Sequence, residues 1–202
     1  MKRYMVLSIV LITLLSLTVV FAENQQKNTG KLTGKKIVMI IAASMFDSDE
    51  FKDPKDIFEQ GGAKIIVACS TLSEETSTGF YKLTVKPDIL INDVKVKDFD
   101  AIVFIGGFGV GEYFDNPVAH NIAKQALEQK KILAAIGLAP TILANAGLLN
   151  GKKATASSSY HIKQKGAIYT GKHVERDGNI ITATGPSATI QFGEAIVSAL
   201  SE

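Results

Sequence analysis

Four short runs of almost unbroken apolar residues are the strongest constraint on how this chain can fold. They are residues 36–43 (KIVMIIAA), 63–68 (AKIIVA), 101–105 (AIVFI) and 132–136 (ILAAI). A strand with one face in water alternates apolar and polar residues, whereas a strand covered on both faces reads as a continuous run. Between these runs, residues 51–60, 117–129 and 141–146 carry apolar side chains at helical spacing with polar residues elsewhere. Strand and helix in alternation predict a parallel sheet sandwiched between helices. Two stretches interrupt the alternation. Residues 70–96 read as an added β-hairpin or edge region, and residues 173–182, with Asp177-Gly178-Asn179 as the turn, as a second hairpin. Residues 188–200 form a final amphipathic segment that closes the sheet.

A chain of 202 residues with 46% hydrophobic residues is enough for one domain with a core of its own. The formal charge of +2 comes from the first residues: setting Lys2 and Arg3 aside lowers the 22 basic side chains to 20, equal to the 20 acidic ones. A neutral domain gives no electrostatic ground for a nucleic-acid partner. Residues 1–22 have a basic start, an uncharged run over 5–21 and small residues before Glu23. They predict a secretory signal peptide cut after Ala22, hence a periplasmic or extracellular protein. The rival reading is an uncleaved membrane anchor, since a span needs roughly 20 apolar residues. Residues 23–34 are polar and predict a flexible linker, which leaves residues 35–202 as the domain. The single cysteine, Cys69, excludes an internal disulfide.

Ligands of open parallel sheets bind at the carboxyl ends of strands, so the loops there carry the candidates. Three stand out: AASMFDSDEFKDP (42–54), GGFGVGEY (106–113) and AAIGLAPT (134–141). The glycines of 106–111 are spaced G-G-x-G-x-G and predict a tight turn in preference to a dinucleotide site. Three scattered histidines and one cysteine form no metal-ligand spacing, and no cofactor is implied.

Taken together, these loops resemble one family in order and spacing. FDSDEFKDP after the first strand, IGG after a buried strand, AAIGLAPT at a strand-to-helix turn, then GKKAT and DGNIITATGP, are similar to the DJ-one/ThiJ/PfpI superfamily, a class I glutamine amidotransferase-like group. The resemblance covers about residues 35–200. It implies a flavodoxin-like α/β three-layer sandwich with a mostly parallel sheet and an added β-hairpin, and a homodimer. In the family the elbow turn carries a nucleophilic cysteine. Here that position is Gly137, flanked by the matching Ala134, Ala135, Ile136, Pro140 and Thr141. Glycine adopts the strained backbone of such an elbow at no steric cost. The family's acidic partner falls on Glu50, its backbone oxyanion donors on Gly107, next to Gly106, and on Leu138, and its third catalytic element on Ser157.

The residues themselves leave a plainer reading open at each position. Asp47, Asp49, Glu50 and Asp53 also suit the positive end of the following helix. Cys69 ends a strand and reads foremost as a small buried hydrophobe. Ser157–Ser159 lack a G-x-S-x-G elbow, and neither His161 nor His173 has the spacing of a base for them; His120 reads as a surface residue. The leading expectation is an exported protein without thiol catalysis that binds a small carbonyl or carboxylate ligand, or a protein partner, at Glu50, Gly106, Gly107, Gly137 and Leu138. One alternative is a hydrolase, deglycase or glyoxalase-type enzyme using Glu50 or a serine. Another is an envelope holdase.

Overall fold

The computed structural model describes residues 30–202; the expected signal peptide over 1–22 and the first part of the linker lie outside the described residues. In chain order the elements are β1 (Lys36–Ile40), α1 (Ser48–Gln60), β2 (Lys64–Cys69), β3 (Glu75–Thr76), β4 (Thr84–Val85), β5 (Ile89–Leu90), β6 (Ala101–Phe104), α2 (Pro117–Glu128), β7 (Ile132–Ile136), α3 (Pro140–Asn145), β8 (Lys153–Ala154), α4 (Ser159–Gln164), β9 (Ile168–Tyr169), β10 (Val174–Asp177), β11 (Ile180–Ala183) and α5 (Thr189–Leu200).

Seven strands form the main sheet in the order β10-β11-β7-β6-β1-β2-β5, parallel except for the antiparallel β10–β11 hairpin. This is the expected three-layer α/β sandwich. Successive residues of each central strand enter opposite core layers, as the pleat requires. Val38 and Ile40 join Ile102, Phe104, Leu133 and Ala135 beneath α2, α3 and α4. Ile37 and Met39 join Val103, Ala134 and Ile136 beneath α1 and α5, with Phe51, Phe58 and Phe192. Each of these layers is apolar, which is why β1, β6 and β7 read as unbroken apolar runs. Gly193 eases the close approach of α1 and α5: an added Cβ would lie 3.3 Å from the Pro54 Cα and 2.8 Å from Ile57 Cδ1.

Three details differ from the expectations. The linker ends before residue 34: Leu32 is fully buried, its N–H donates to the Gly61 carbonyl at 2.7 Å, and its side chain packs in the α1–α5 layer. One apolar residue in a polar stretch carries no periodicity, so the pattern placed the start of the fold too late. Residues 70–96 split between a separate β3–β4 hairpin and β5, which extends the main sheet in parallel beside β2. Helix α4 was not expected, because its six residues bury only Ile162.

Chain order reverses across β1, with β2 on one side and β6 on the other. The helix after β1 covers one face of the sheet and the helix after β6 the other. The crevice between the carboxyl ends of β1 and β6 is therefore the topological switch point, where open α/β sheets bind ligands.

Candidate functional site

The site begins with a helix cap. Asp47, in extended conformation, precedes α1, and its Oδ1 accepts hydrogen bonds from the N–H groups of Asp49 (2.9 Å) and Glu50 (3.1 Å). That bond fixes the first turn. The Asp47 N–H donates to the Gly106 carbonyl at 3.1 Å, which ties the loop after β1 to the loop after β6. Thr78 N–H donates to the Phe46 carbonyl and Ser48 N–H to the Thr78 carbonyl, both at 2.8 Å, so the segment between β3 and β4 closes one side of the crevice.

Held this way, the Glu50 side chain is directed into the protein and is 2% exposed. Its Oε2 accepts a hydrogen bond from Gly106 N–H at 2.9 Å. Burial, reinforced by the charges of Asp47 and Asp49 and only partly offset by the Gly106 N–H, pushes the carboxyl up to about 8. Glu50 is therefore mostly protonated at neutral pH. With Oε2 accepting from Gly106, Oε1 is the carboxyl oxygen without a hydrogen bond among the described residues and is open to carry the proton.

The second half is the turn between β7 and α3. Gly137 has φ of +65°, in the left-handed region that glycine enters freely. Its N–H donates to the Ala183 carbonyl at 3.1 Å and its carbonyl accepts from Ser157 N–H at 2.9 Å, which pins the turn between β11 and the segment after β8. An added Cβ at Gly137 would lie 2.3 Å from Glu50 Oε1 and 2.7 Å from Oε2. At Gly106 it would lie 2.3 Å from Oε2, and at Gly185 3.4 Å from Oε1. The Glu50 carboxyl thus fills a cage of glycine backbone at the ends of β6, β7 and β11, including the space any side chain at residue 137 would need.

Beside the cage is a cavity of about 290 Å³, lined by Asp47, Glu50, Thr78, Gly107, Phe108, Gly137, Leu138 and Ser157. Among the described residues, the N–H groups of Gly107 and Leu138 have no protein acceptor. With the Glu50 hydroxyl they form a set of hydrogen-bond donors suited to an oxygen of a carbonyl or carboxylate.

All six residues singled out from the sequence, Glu50, Gly106, Gly107, Gly137, Leu138 and Ser157, meet at this crevice. Sequence reasoning did not find Thr78, Phe108 or Gly185. Thr78 sits in a stretch read only as a hairpin; Phe108, 77% exposed, is an isolated apolar residue among glycines. The final ATGP could have pointed to Gly185, since a glycine just after a strand end marks close backbone approach.

The other candidates lie elsewhere or lack partners. Ser157 is exposed and its hydroxyl has no hydrogen bond among the described residues, and His161 is exposed on α4, edge-on to Tyr160 at 5.4 Å. His120 is held by the Phe114 carbonyl at 2.8 Å. Cys69 is fully buried in the α1–α5 layer, and burial pushes its thiol up, away from the reactive thiolate. Among the described residues no group of His, Cys, Asp and Glu could hold a metal ion, and no helix is long and apolar enough to cross a membrane.

Residues 35–199 match the DJ-1/PfpI family. An uncharacterized protein of Methanocaldococcus jannaschii is 35% identical over 99% of this chain and 98% of its own length. A Thermococcus kodakarensis protein named a deglycase is 30% identical over 74% of this chain and 90% of its own. The crystal structure of a ThiJ/PfpI domain protein from Brachyspira murdochii superposes with a TM-score of 0.77 at 32% identity, covering 83% of this chain and 98% of that one. By sequence match and by fold, the chain belongs to the DJ-1/PfpI family.

Proposed function

We propose that this protein is an exported member of its family that binds a small carbonyl- or carboxylate-bearing molecule and performs no thiol chemistry. The observation that carries the reading is the Glu50 carboxyl occupying the space in which a side chain at Gly137 would stand. A nucleophile at residue 137 and Glu50 in its present position are mutually exclusive. What remains is a binding arrangement: a neutral carboxyl donor and two free backbone N–H donors facing a cavity. All three groups border the same cavity, and the neutral state of Glu50 avoids repelling a carboxylate there.

Export rests on the basic-then-apolar segment over residues 1–22. Fractionation of cells producing the full chain, with sequencing of the mature N-terminus, checks it; a cytosolic, uncut protein overturns it.

A second reading is favoured by the same carboxyl, because a group titrating near 8 is placed to move a proton to or from a carbonyl substrate without a thiol. Two measurements separate the readings. With pyruvate as probe, binding followed by amide NMR should shift the Gly107 and Leu138 N–H signals and weaken about tenfold between pH 7 and 9 as Glu50 ionises. With methylglyoxal as substrate, the mature protein should show no turnover. Turnover that disappears in Glu50→Gln would overturn the binding-only reading in favour of the catalytic one.

A further inference from the structure

At the opposite ends of the strands lies a larger, strongly polar groove of about 450 Å³. Its charged lining comes from residues just before strands: Lys35 before β1, Asp100 before β6, and Lys130 and Lys131 before β7, with Arg176 on β10 and Glu202 after α5. Arg176 is held for bidentate contact. Its Nε donates to the Gly178 carbonyl at 3.0 Å, which leaves Nη1 and Nη2 facing the groove. Those two atoms grip the Glu202 carboxylate at 2.5 and 2.8 Å. Lys35 is paired with Asp100 at 3.6 Å, whereas Lys130 and Lys131 have no ion pair among the described residues. The Lys130 turn is fastened by Asn179 Nδ2, which donates to the Lys130 carbonyl at 2.9 Å.

A guanidinium fork with fixed orientation matches the paired oxygens of a carboxylate or phosphate. Here the chain's own carboxylate fills the fork, while two further ammonium groups nearby remain uncompensated. With Glu202 displaced, Arg176, Lys130 and Lys131 carry three positive charges, of which a carboxylate offsets one and a doubly charged phosphate two. Among the described residues Glu202 is held only by this pair, its side chain is 61% exposed, and exposed pairs contribute little, so an incoming anion can displace it.

We infer that this groove is a phosphate-binding site, separate from the crevice at Glu50, with Glu202 as a built-in competitor for the Arg176 fork. Phosphate chemistry here has two sources, a soluble phosphorylated molecule or the headgroup of an anionic lipid. Its standing does not depend on the function proposed for the Glu50 cavity.

The experiment titrates the mature protein with inorganic phosphate at low ionic strength and follows the Arg176 Nε–H signal by NMR. In parallel it measures binding to phosphatidylglycerol and to phosphatidylcholine vesicles. Glu202→Gln should tighten binding up to about fivefold, the worth of one exposed ion pair. Arg176→Gln should abolish saturable binding, and Lys130→Gln with Lys131→Gln should weaken it while leaving the thermal transition in place. Saturation by inorganic phosphate identifies a soluble ligand. Arg176-dependent binding confined to phosphatidylglycerol vesicles identifies a headgroup. No binding in either arm, binding undiminished in both the Arg176 and the lysine variants, or no gain from Glu202→Gln overturns the proposal.

Discussion

Two of the buried glutamates, one at the central crevice and one on the edge strand β10, are held in opposite protonation states. Glu50 is 2% exposed and Glu175, on the edge strand β10, is 7% exposed. Burial raises the carboxyl in each case, but at Glu175 that effect is outweighed by Lys172, 3.1 Å away, and by Thr170, so its carboxyl is held below the ordinary range. Among the described residues Glu50 has only Asp47 and Asp49 for charged neighbours and a single N–H donor, so burial prevails and its carboxyl rises to about 8. Burial alone does not decide the charge of a carboxyl; the sign of what is buried with it does. Among the described residues the crevice at Glu50 has no compensating cation, and that is the condition for a neutral hydrogen-bond donor at pH 7.

The contrast breaks most readily through pH. The folded value for Glu50 lies above the unfolded value of 4.5, so between about pH 4.5 and 8 the folded protein holds the extra proton. Stability from this group is therefore fully present below about 4.5 and is lost as pH rises through 8. The loss amounts to about 3–5 kcal/mol in urea unfolding. Glu50→Gln, an isostere of the protonated carboxyl, should flatten that slope. An unchanged slope in the variant would show that Glu50 is ionised at neutral pH and that the two glutamates do not differ.

Next in size is the cage itself. Gly137→Cys puts a side chain at positive φ and into the Glu50 carboxyl, and should cost about 2–4 kcal/mol. In a Glu50→Ala background the clash is relieved, so the same substitution should cost about 1–2 kcal/mol less, a coupling visible in a double-mutant cycle of thermal or urea unfolding. Equal costs in both backgrounds would mean that the carboxyl does not occupy the space beside residue 137.

How far these features could be read in the sequence follows from their physics. The parallel sheet was legible because β1, β6 and β7 are buried on both faces and their composition records it. The turn at Gly137 was legible from its flanking Ala134, Ala135, Ile136 and Pro140. Leu32 and Thr78 were not, because each reaches the structure through isolated contacts that leave no periodic trace. Nor was the cage. Residues 50, 106, 137 and 185 lie far apart in the chain, and only the approach of three strand ends to α1 shows that the carboxyl fills the space beside Gly137.

The smallest effect probes the other glutamate. Lys172 is 66% exposed in its side chain, so its pair with Glu175 is screened by water and should be worth only about 0.5–1 kcal/mol. Lys172→Met should lower stability by that amount at pH 7 and raise the Glu175 carboxyl toward the ordinary range. The sign is opposite to that at Glu50. Glu175 contributes stability above its unfolded value that is lost as pH falls through its lowered folded value, so the variant should be relatively less impaired in acid. If Lys172→Met left both the stability at pH 7 and the acid limb unchanged, the cation would not be what separates Glu175 from Glu50. The difference would then rest with Thr170 and Lys153, which also lower the Glu175 carboxyl.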